Sequence, residues 1–166
     1  MIPHPDVQNF LFNCAVITVS DTRTVETDKS GQLIQQLLKL EGHKISNYTI
    51  IKDEPSQIQS LLSKFNDDSN IQIIIFSGGT GIAPRDTTYD VVNSWLDKPI
   101  QGFGEIFRYL SYQEIGSRAI ASRAIAGVKN QKLIFSLPGS SNAVKLAVSQ
   151  LILPEVNHLL KQIKGS

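Results

Sequence analysis

Residues 71–90, which read IQIIIFSGGTGIAPRDTTYD, decide how the rest of the chain is interpreted. Residues 71–76 are almost all apolar and predict a short strand that is covered on both faces. Residues 77–81 then break the strand with glycines, which tolerate positive φ and allow another backbone to approach closely. Thr87, followed three residues later by Asp90, resembles a capping box and predicts that a helix begins near Thr87. A strand, a glycine loop and a helix N-terminus in this order predict a phosphate-binding loop.

Two well-known phosphate loops do not fit this stretch. A Walker A loop needs Lys and then Ser or Thr after its last glycine, whereas two apolar residues follow Gly81. The dinucleotide fingerprint needs a third glycine at the place where Pro84 stands. The alternative is a glycine-rich tight turn without a ligand. The adjacent Arg85 and Asp86 favour a binding loop, because a plain turn needs neither charge.

The bulk composition is that of an ordinary globular protein. The 166 residues are 41% hydrophobic and 19% charged, which suits one domain with a self-sufficient core. A formal net charge of +1 gives no general electrostatic reason to expect nucleic acid or an anionic membrane as a partner. The single cysteine, Cys14, adjoins an apolar run and is expected to be a buried structural thiol. His4, His43 and His158 show no ligand spacing, so we expect no zinc site.

The two ends of the chain carry expectations about location and assembly. No apolar run approaches membrane-spanning length and the first residues lack the layout of a secretory signal, so we expect a cytoplasmic protein. Residues 1–13 contain Pro3 and Pro5 and are expected to form an extended arm that packs against a neighbouring subunit. Residues 14–166 are expected to form a single domain.

Strands that alternate with amphipathic helices predict an α/β fold with a mostly parallel sheet and right-handed crossovers. Strands are expected at residues 15–19, 46–51, 71–76 and 133–137. Helices are expected from about Ser30, after Pro55, through Trp95, after the sequence Gly-Phe-Gly-Glu of residues 102–105, and in two closing segments, the second after Pro154. Residues 116–128, with a repeated Ser-Arg-Ala-Ile, have no predicted structure.

Polar or glycine-rich residues follow each of the four predicted strands. They are Ser20 with Asp21, Asp53, residues 77–86 and residues 138–141. Because ligands of such sheets bind beyond the carboxyl ends of the strands, we expect one extended site at a shared edge. Its loops suit phosphates and its acids suit a hydrated Mg²⁺. The order of the strands does not follow from one sequence.

Four stretches of the chain resemble the molybdenum cofactor biosynthesis proteins of the MoaB/MogA type, which share a domain with the gephyrin-type proteins. The stretches are Val-Ile-Thr-Val-Ser-Asp at 16–21, Ser-Gly-Gly-Thr-Gly at 77–81 with Arg85 and Asp86, Gly-Phe-Gly-Glu at 102–105, and Leu-Pro-Gly-Ser at 137–140. The likeness runs from about Asn13 to Leu160. The run at residues 102–128 is most similar to the MoaB branch.

The resemblance implies a three-layer α/β molybdopterin-binding domain that assembles as a homotrimer or homohexamer. It implies molybdopterin as the substrate, a pterin dithiolene with a terminal phosphate, and contacts with other molybdenum cofactor enzymes. In the MogA-like branch that phosphate attacks the α-phosphate of Mg-ATP, which gives adenylyl-molybdopterin and pyrophosphate. Two acids that matter there match Asp53 and Asp86. Some MoaB-branch members lack the neighbouring arginine, which this chain retains as Arg85.

The expected roles follow from the chemistry of nucleotidyl transfer, which needs neutralised phosphate charge and an in-line approach. Asp53, Asp86 and Arg85 form the expected catalytic set, with both acids holding Mg²⁺ directly or through its waters. The expected substrate-binding set is Ser20, Asp21, Ser77, Gly78, Gly79, Thr80, Gly81, Glu105, Pro138, Gly139, Ser140 and Ser141. A methyl group at Gly79 is expected to obstruct phosphate binding while leaving most of the core intact.

Each of these assignments has a structural alternative. Asp86 and Asp53 could each be only a helix N-cap. Arg85 could be a solvated or intersubunit charge. Glu105 could be an acid at a helix start, stabilised by the dipole. Ser20 and its neighbour Asp21 could fix their loop rather than touch a ligand.

Two classes of function follow from these residues and the resemblance. The first is an enzyme, a molybdopterin adenylyltransferase, which the retained pair of acids favours. The second is a non-catalytic pterin-binding or scaffold protein with the same fold. A generic nucleotide hydrolase is disfavoured by the absent Walker lysine.

Overall fold

A six-stranded sheet with the order β2-β1-β3-β6-β5-β4 forms the middle layer of the protein. The computed structural model describes residues 10–165. β1 (Asn13–Val19), β2 (Lys44–Ile51), β3 (Ile73–Ser77) and β6 (Lys132–Leu137) run parallel. β5 (Ile125–Lys129) is antiparallel to β6, and the short β4 (Lys98–Pro99) is antiparallel to β5. The prediction of a mostly parallel sheet is confirmed.

Helices cover both faces of the sheet, which confirms the three-layer α/β architecture. One face packs against α1 (Lys29–Leu40), α4 (Gln101–Ile115), α5 (Ser141–Ala147) and α6 (Leu153–Lys164). The other packs against α2 (Pro55–Asp67) and α3 (Thr88–Trp95). Successive residues of β3 alternate between the two apolar clusters, with Ile73 and Ile75 in the first and Ile74 and Phe76 in the second. This alternation is the period of a strand that is buried on both faces.

The helices α2 and α3 begin where the sequence predicts. Pro55 occupies the first turn of α2, which buries Ile58, Leu62 and Phe65 against the sheet. α3 begins at Thr88, as expected, but the capping box does not form, since Thr87 makes no side-chain cap bond. The hydroxyl of Thr87 is bonded to Asp53 instead, and the carboxylate of Asp90 is bonded to Arg123.

Several boundaries differ from the sequence prediction. β1 begins at Asn13, so the last residue of the predicted arm belongs to the sheet; residues 1–9 of the arm lie outside the described residues. The Gly-Phe-Gly-Glu sequence lies inside α4, which already begins at Gln101. Residues that had no predicted structure form a 3₁₀ helix (Gly116–Ala121) and β5. A π turn (Val148–Ile152) joins the two closing helices.

Two features of the core bear on the sequence expectations. Cys14 is fully buried, and this burial raises the pKa of its thiol to about 12, which confirms an inert structural thiol. Within residues 10–165, no helix is both long enough and apolar enough to cross a membrane.

Candidate functional site

The glycine loop, residues 77–81, is held between the ends of β1 and β6. The N–H of Gly78 donates to the carbonyl of Leu137 over 2.9 Å. Gly78 has a φ of +105°, and a Cβ there would collide with the carbonyl oxygen of Val19. A Cβ on Gly139 would lie 3.3 Å from the Cα of Gly78. Only glycines allow these loops to approach so closely, and the shared edge predicted for them is therefore confirmed.

Asp53 is buried at this edge and is bonded to the start of α3. Its Oδ1 accepts hydrogen bonds from the N–H of Thr87 (3.2 Å) and from the hydroxyl of Thr87 (2.6 Å). The N-cap of α2 is Glu54, without a side-chain cap bond, so the alternative that Asp53 caps the helix after it is wrong. The competition for Thr87 also explains why the predicted capping box does not form. Asp53 instead ties the end of β2 to the segment that follows the glycine loop.

The absence of a side chain at Gly79 leaves room for the hydroxyl of Thr88 and the carboxylate of Asp53. Its φ is +68°, and a Cβ there would collide with the hydroxyl of Thr88 and with Oδ2 of Asp53. The Thr88 hydroxyl is buried and has no hydrogen-bond partner among residues 10–165. Substitution by alanine would thus displace Asp53 and strain the loop. The atoms that this Cβ would meet belong to Thr88 and Asp53 and not to the apolar core, so the expectation that Gly79→Ala leaves most of the core intact stays a prediction.

Asp86 closes the far side of the glycine loop. Its Oδ2 accepts from the N–H of Ala83 over 3.0 Å, and a Cβ on Gly81 would lie 2.7 Å from the same oxygen. Asp86 is therefore not the N-cap of α3, because the carboxylate bonds back into its own turn. No cluster of three or more metal-ligating side chains exists within residues 10–165. A Mg²⁺ ion held by Asp53 and Asp86 would complete its shell with phosphate oxygens and water.

Arg85 is half exposed and is paired within its own chain. Its Nε lies 2.7 Å from Oδ2 of Asp21, its Nη2 lies 2.9 Å from Oδ1 of Asp21, and its Nη1 lies 2.8 Å from Oε1 of Glu54. The hydrogen bonds from Arg85 lower the pKa of Asp21, and those to Asp21 and Glu54 raise the pKa of Arg85. Oδ1 of Asp21 also accepts from the N–H of Asp53 over 3.2 Å. The loops after β1, β2 and β3 are thereby connected through one guanidinium group.

A second charged network lies behind the loop after β1. Oγ of Ser20 accepts from the N–H of Arg23 over 3.1 Å, so this serine does fix its loop. Arg23 Nη2 donates to the carbonyl of Gly139 over 3.0 Å, and its guanidinium also bonds Ser30 and pairs with Asp28. Sequence reasoning missed both charged residues. The spacing from Asp28 to the start of α1, which it caps, was the available signal.

Asp28 is fully buried and accepts several hydrogen bonds. The donors are the hydroxyl of Thr18 (2.6 Å), the N–H of Gly31 (3.0 Å) and the hydroxyl of Tyr48. Burial alone would raise the pKa of Asp28, but these hydrogen bonds outweigh it, and the pKa lies below its ordinary value. The carboxylate is therefore charged at neutral pH and stabilises the edge on which the loops rest.

The loop after β6 completes the edge. Ser140 is the N-cap of α5 and its hydroxyl accepts from the N–H of Ala143 over 3.2 Å. Pro138 and Gly139 are partly buried, and Ser141 is exposed in the first turn of α5. The structure thus brings every predicted loop residue to one edge, where Ser140 has a structural role of its own.

Glu105 lies apart from the glycine loop, on the wall of a cleft of about 610 Å³. The first turn of α4 holds no acid, so the alternative that Glu105 stabilises a helix start is wrong. Arg108, also on this wall, donates to the carbonyl of Ala124 over 3.2 Å. Ser122 also lines the cleft, and its hydroxyl is buried without a hydrogen-bond partner among the described residues. Arg123 belongs both to this cleft and to the glycine loop, through a hydrogen bond to the carbonyl of Gly81.

The fold and these loops define an α/β domain with a candidate anion site at the carboxyl edge of its parallel sheet. The chain belongs to the family whose domain is described as a "Probable molybdopterin binding domain", since the model of that family matches residues 15–158. This confirms the resemblance drawn from the four sequence stretches.

Named relatives cover almost the whole chain. The "Molybdenum cofactor biosynthesis protein B" of Halalkalibacterium halodurans is 56% identical over 151 residues, which is 90% of this chain and 89% of the relative. A crystal structure of a protein of that name has a TM-score of 0.91 at 47% identity, with 95% and 98% of the two chains covered. The tungsten cofactor synthesizing protein MoaB from Pyrococcus furiosus has a TM-score of 0.84 at 36% identity, with 95% and 99% covered.

The buried Asp28 generates a prediction about acid stability. Its pKa is lower in the folded than in the unfolded protein, so its stabilisation is present above the unfolded value of about 3.9 and is lost as the pH falls through the folded value. Asp28→Asn keeps the shape but places an amide where hydroxyl donors point. We expect it to lower the free energy of unfolding at pH 7 by about 2 kcal/mol.

Urea unfolding at pH 7 and at pH 3 measures this effect. The difference between wild type and Asp28→Asn should shrink at the lower pH, whereas the exposed-site control Asp67→Asn should match wild type at both. Equal unfolding free energies of wild type and Asp28→Asn at pH 7 would contradict the assigned role.

Proposed function

We propose that this protein acts in molybdenum cofactor biosynthesis as a cytoplasmic molybdopterin adenylyltransferase. It binds molybdopterin and Mg-ATP at the carboxyl edge of the sheet and transfers AMP to the terminal phosphate of molybdopterin. The observation that carries the proposal is the meeting of the glycine loop, Asp53 and Asp86 in one place, with Thr87 bonded to Asp53 directly after Asp86. Membership of this family supports molybdopterin as the substrate.

The reaction is a displacement at phosphorus. An anionic oxygen of the molybdopterin phosphate attacks the α-phosphorus of ATP, and the bond from that phosphorus to the oxygen bridging it to the β-phosphate breaks. Pyrophosphate leaves with the electron pair of that bond. The nucleophile is already ionised, so no general base is required. The chain must instead orient the reactants and neutralise the phosphate charge.

Residues of the loops would both orient the reactants and neutralise the phosphate charge. The N–H of Gly78 is already bonded to Leu137, so phosphate oxygens would be bound by the backbone N–H groups of residues 79–81, at the edge where α3 begins. The helix dipole adds to their effect. Mg²⁺, held by Asp53 and Asp86, would neutralise charge on the transferred phosphates. Arg85 would bind a phosphate after turning away from Asp21 and Glu54. Both of its ion pairs are solvent-exposed, and such pairs are readily exchanged.

The cleft next to the loop suits the pterin ring. Glu105 offers an acceptor and Arg108 offers donors for the polar edge of a heterocycle. Ile120 contributes an apolar surface to the same wall. A pterin in this cleft would direct its phosphate towards the glycine loop, since Arg123 lines the first and bonds the second.

One observation favours the alternative of a non-catalytic pterin-binding or scaffold protein. The guanidinium of Arg85 is already neutralised by Asp21 and Glu54. If these pairs persist with ligand present, the site lacks the cation that the transfer requires. The alternative keeps the same fold, the same cleft and the same pathway.

A homo-oligomer, a trimer or a hexamer, is part of the proposal. Apolar side chains are exposed along one stretch of α4, namely Ile106, Tyr109, Tyr112 and Ile115. Monomeric proteins rarely leave so continuous an apolar strip in water. We infer that another copy of the chain covers it, and that contacts with other molybdenum cofactor enzymes use the remaining surface.

Asp86→Asn separates the enzyme from the scaffold. Asparagine can accept the same hydrogen bond from Ala83, so the free energy of unfolding should change by no more than about 1 kcal/mol. The lost negative charge should lower the rate of adenylyl transfer by about a hundredfold or more. A thermal melt combined with pyrophosphate release from molybdopterin and Mg-ATP measures both, with Asp67→Asn, at the end of α2, as the control.

The outcomes of this experiment are distinct. If folded Asp86→Asn turns over like wild type, the mechanism is wrong. If wild type shows no turnover with verified substrates, the scaffold alternative replaces the enzyme.

The exposed strip on α4 predicts the state of assembly. Light scattering should report a trimer or a hexamer at micromolar concentration. Tyr109→Glu should dissociate it, because a charge buried between subunits is costly. Leu40→Glu, at an exposed apolar residue at the end of α1, should leave the assembly intact. A wild-type monomer would refute this part of the proposal.

A further inference from the structure

Arg123 bonds three backbone carbonyls, two in the glycine loop and one in the segment that follows it. Its Nε and Nη2 donate to the carbonyl of Gly81 over 3.0 and 2.7 Å, and Nη2 also lies 3.4 Å from the carbonyl of Asp86. Its own N–H donates to the carbonyl of Thr80 over 3.3 Å. One planar group thus spans the two ends of the segment 81–86, although Arg123 lies 37 or more residues further along the chain.

The guanidinium is itself held by α3. Asp90 accepts from Nη1 over 3.0 Å and from Nη2 over 3.2 Å, and the ring of Tyr89 lies 4.7 Å from the guanidinium carbon. This second contact of Asp90 also explains why it does not complete the predicted capping box. A planar group with a bidentate carboxylate and an aromatic ring beside it has little orientational freedom.

The position of the Asp86 carboxylate depends on this arrangement. Its Oδ2 lies next to Gly81 and accepts from Ala83, both inside the segment that Arg123 closes. If Gly81 moves, the space that receives this carboxylate changes with it. The same guanidinium lines the cleft, so one side chain is in contact with both halves of the site.

We propose that Arg123 is a positioning residue of the site, which acts through the carbonyls of Gly81 and Asp86. It presents the loop N–H groups and the Asp86 carboxylate together, and it connects the cleft to the loop. Its effect on catalysis rests on the proposed function. Its effect on the order of the loop does not, and can be measured without any substrate.

Arg123→Ala tests this against a matched control. Lys129→Ala removes a cation that makes the same two kinds of contact on β5, an ion pair with Asp97 at 3.0 Å and a ring contact with Trp95 at 5.4 Å. Among the described residues, Lys129 donates no hydrogen bond to the glycine loop. Both variants therefore lose an ion pair and a ring contact, but only Arg123→Ala also loses the hydrogen bonds to the carbonyls of Gly81 and Asp86.

The first measurement is hydrogen exchange, followed by mass spectrometry of peptides that cover residues 77–87, with no ligand present. Arg123→Ala should exchange about tenfold faster there, whereas Lys129→Ala should match wild type. Millimolar guanidinium should restore protection to Arg123→Ala alone, because it can occupy the site that the side chain leaves. A merely structural arginine would not show this local rescue.

The second measurement is adenylyl transfer by the same proteins. Arg123→Ala should lose about 10- to 100-fold in kcat and need more Mg²⁺ for half-maximal rate, because the segment that carries the Asp86 carboxylate is then held less firmly. Arg123→Lys, which can reach one carbonyl but not both, should fall between it and wild type, and serves as the test variant if the alanine protein does not fold.

Unchanged exchange at residues 77–87 in folded Arg123→Ala would overturn the proposal, and so would the absence of rescue by guanidinium. If Arg123→Lys stands in for it, exchange and rate equal to wild type would do the same. A wild-type protein without turnover would contradict the proposed function instead, and the exchange result would still decide the role of Arg123.

Discussion

The close packing of the glycine loop between two strand ends is the constraint on which the site depends. Gly78 donates to Leu137 of β6, while its Cα faces the carbonyl of Val19 at the end of β1. No side chain fits at this position. The positive φ of Gly78 is also a backbone conformation that glycine adopts easily and other residues adopt only with strain. Because β3 lies between β1 and β6, this single contact brings three of the four loops of the edge together.

The charged groups around this point form two networks with different properties. Asp28 is fully buried and saturated with donors, and Arg23 extends its network to the carbonyl of Gly139. This buried network of Asp28 and Arg23 holds the loops after β1 and β6 in place. Arg85 is exposed and shared between Asp21 and Glu54, so its pairs can be exchanged for a phosphate. The edge thus combines a rigid base with a cation that can respond to ligand.

The sequence predicts the parts of this protein that depend on neighbours in the chain. Apolar periodicity identifies the four parallel strands and most helices, and the polar residues after those strands identify the edge. The 3₁₀ helix and the antiparallel β5 escape prediction because short elements with small, polar residues give a weak pattern. The capping box at Thr87 and Asp90 fails for a different reason, since Asp53 and Arg123, both distant in sequence, bond its two members. Long-range partners of this kind are invisible in a single sequence.

The proposed function depends on phosphate binding by the N–H groups of the glycine loop. The most direct measurement is a titration of protein labelled with ¹⁵N-glycine with Mg-ATP, observed in amide correlation spectra that contain only the 11 glycines. We expect the amides of Gly79 and Gly81 to shift together and saturably, while Gly42, beyond the end of α1, stays in place. Saturable binding of Mg-ATP that leaves the amides of Gly79 and Gly81 unmoved would contradict phosphate binding by this loop.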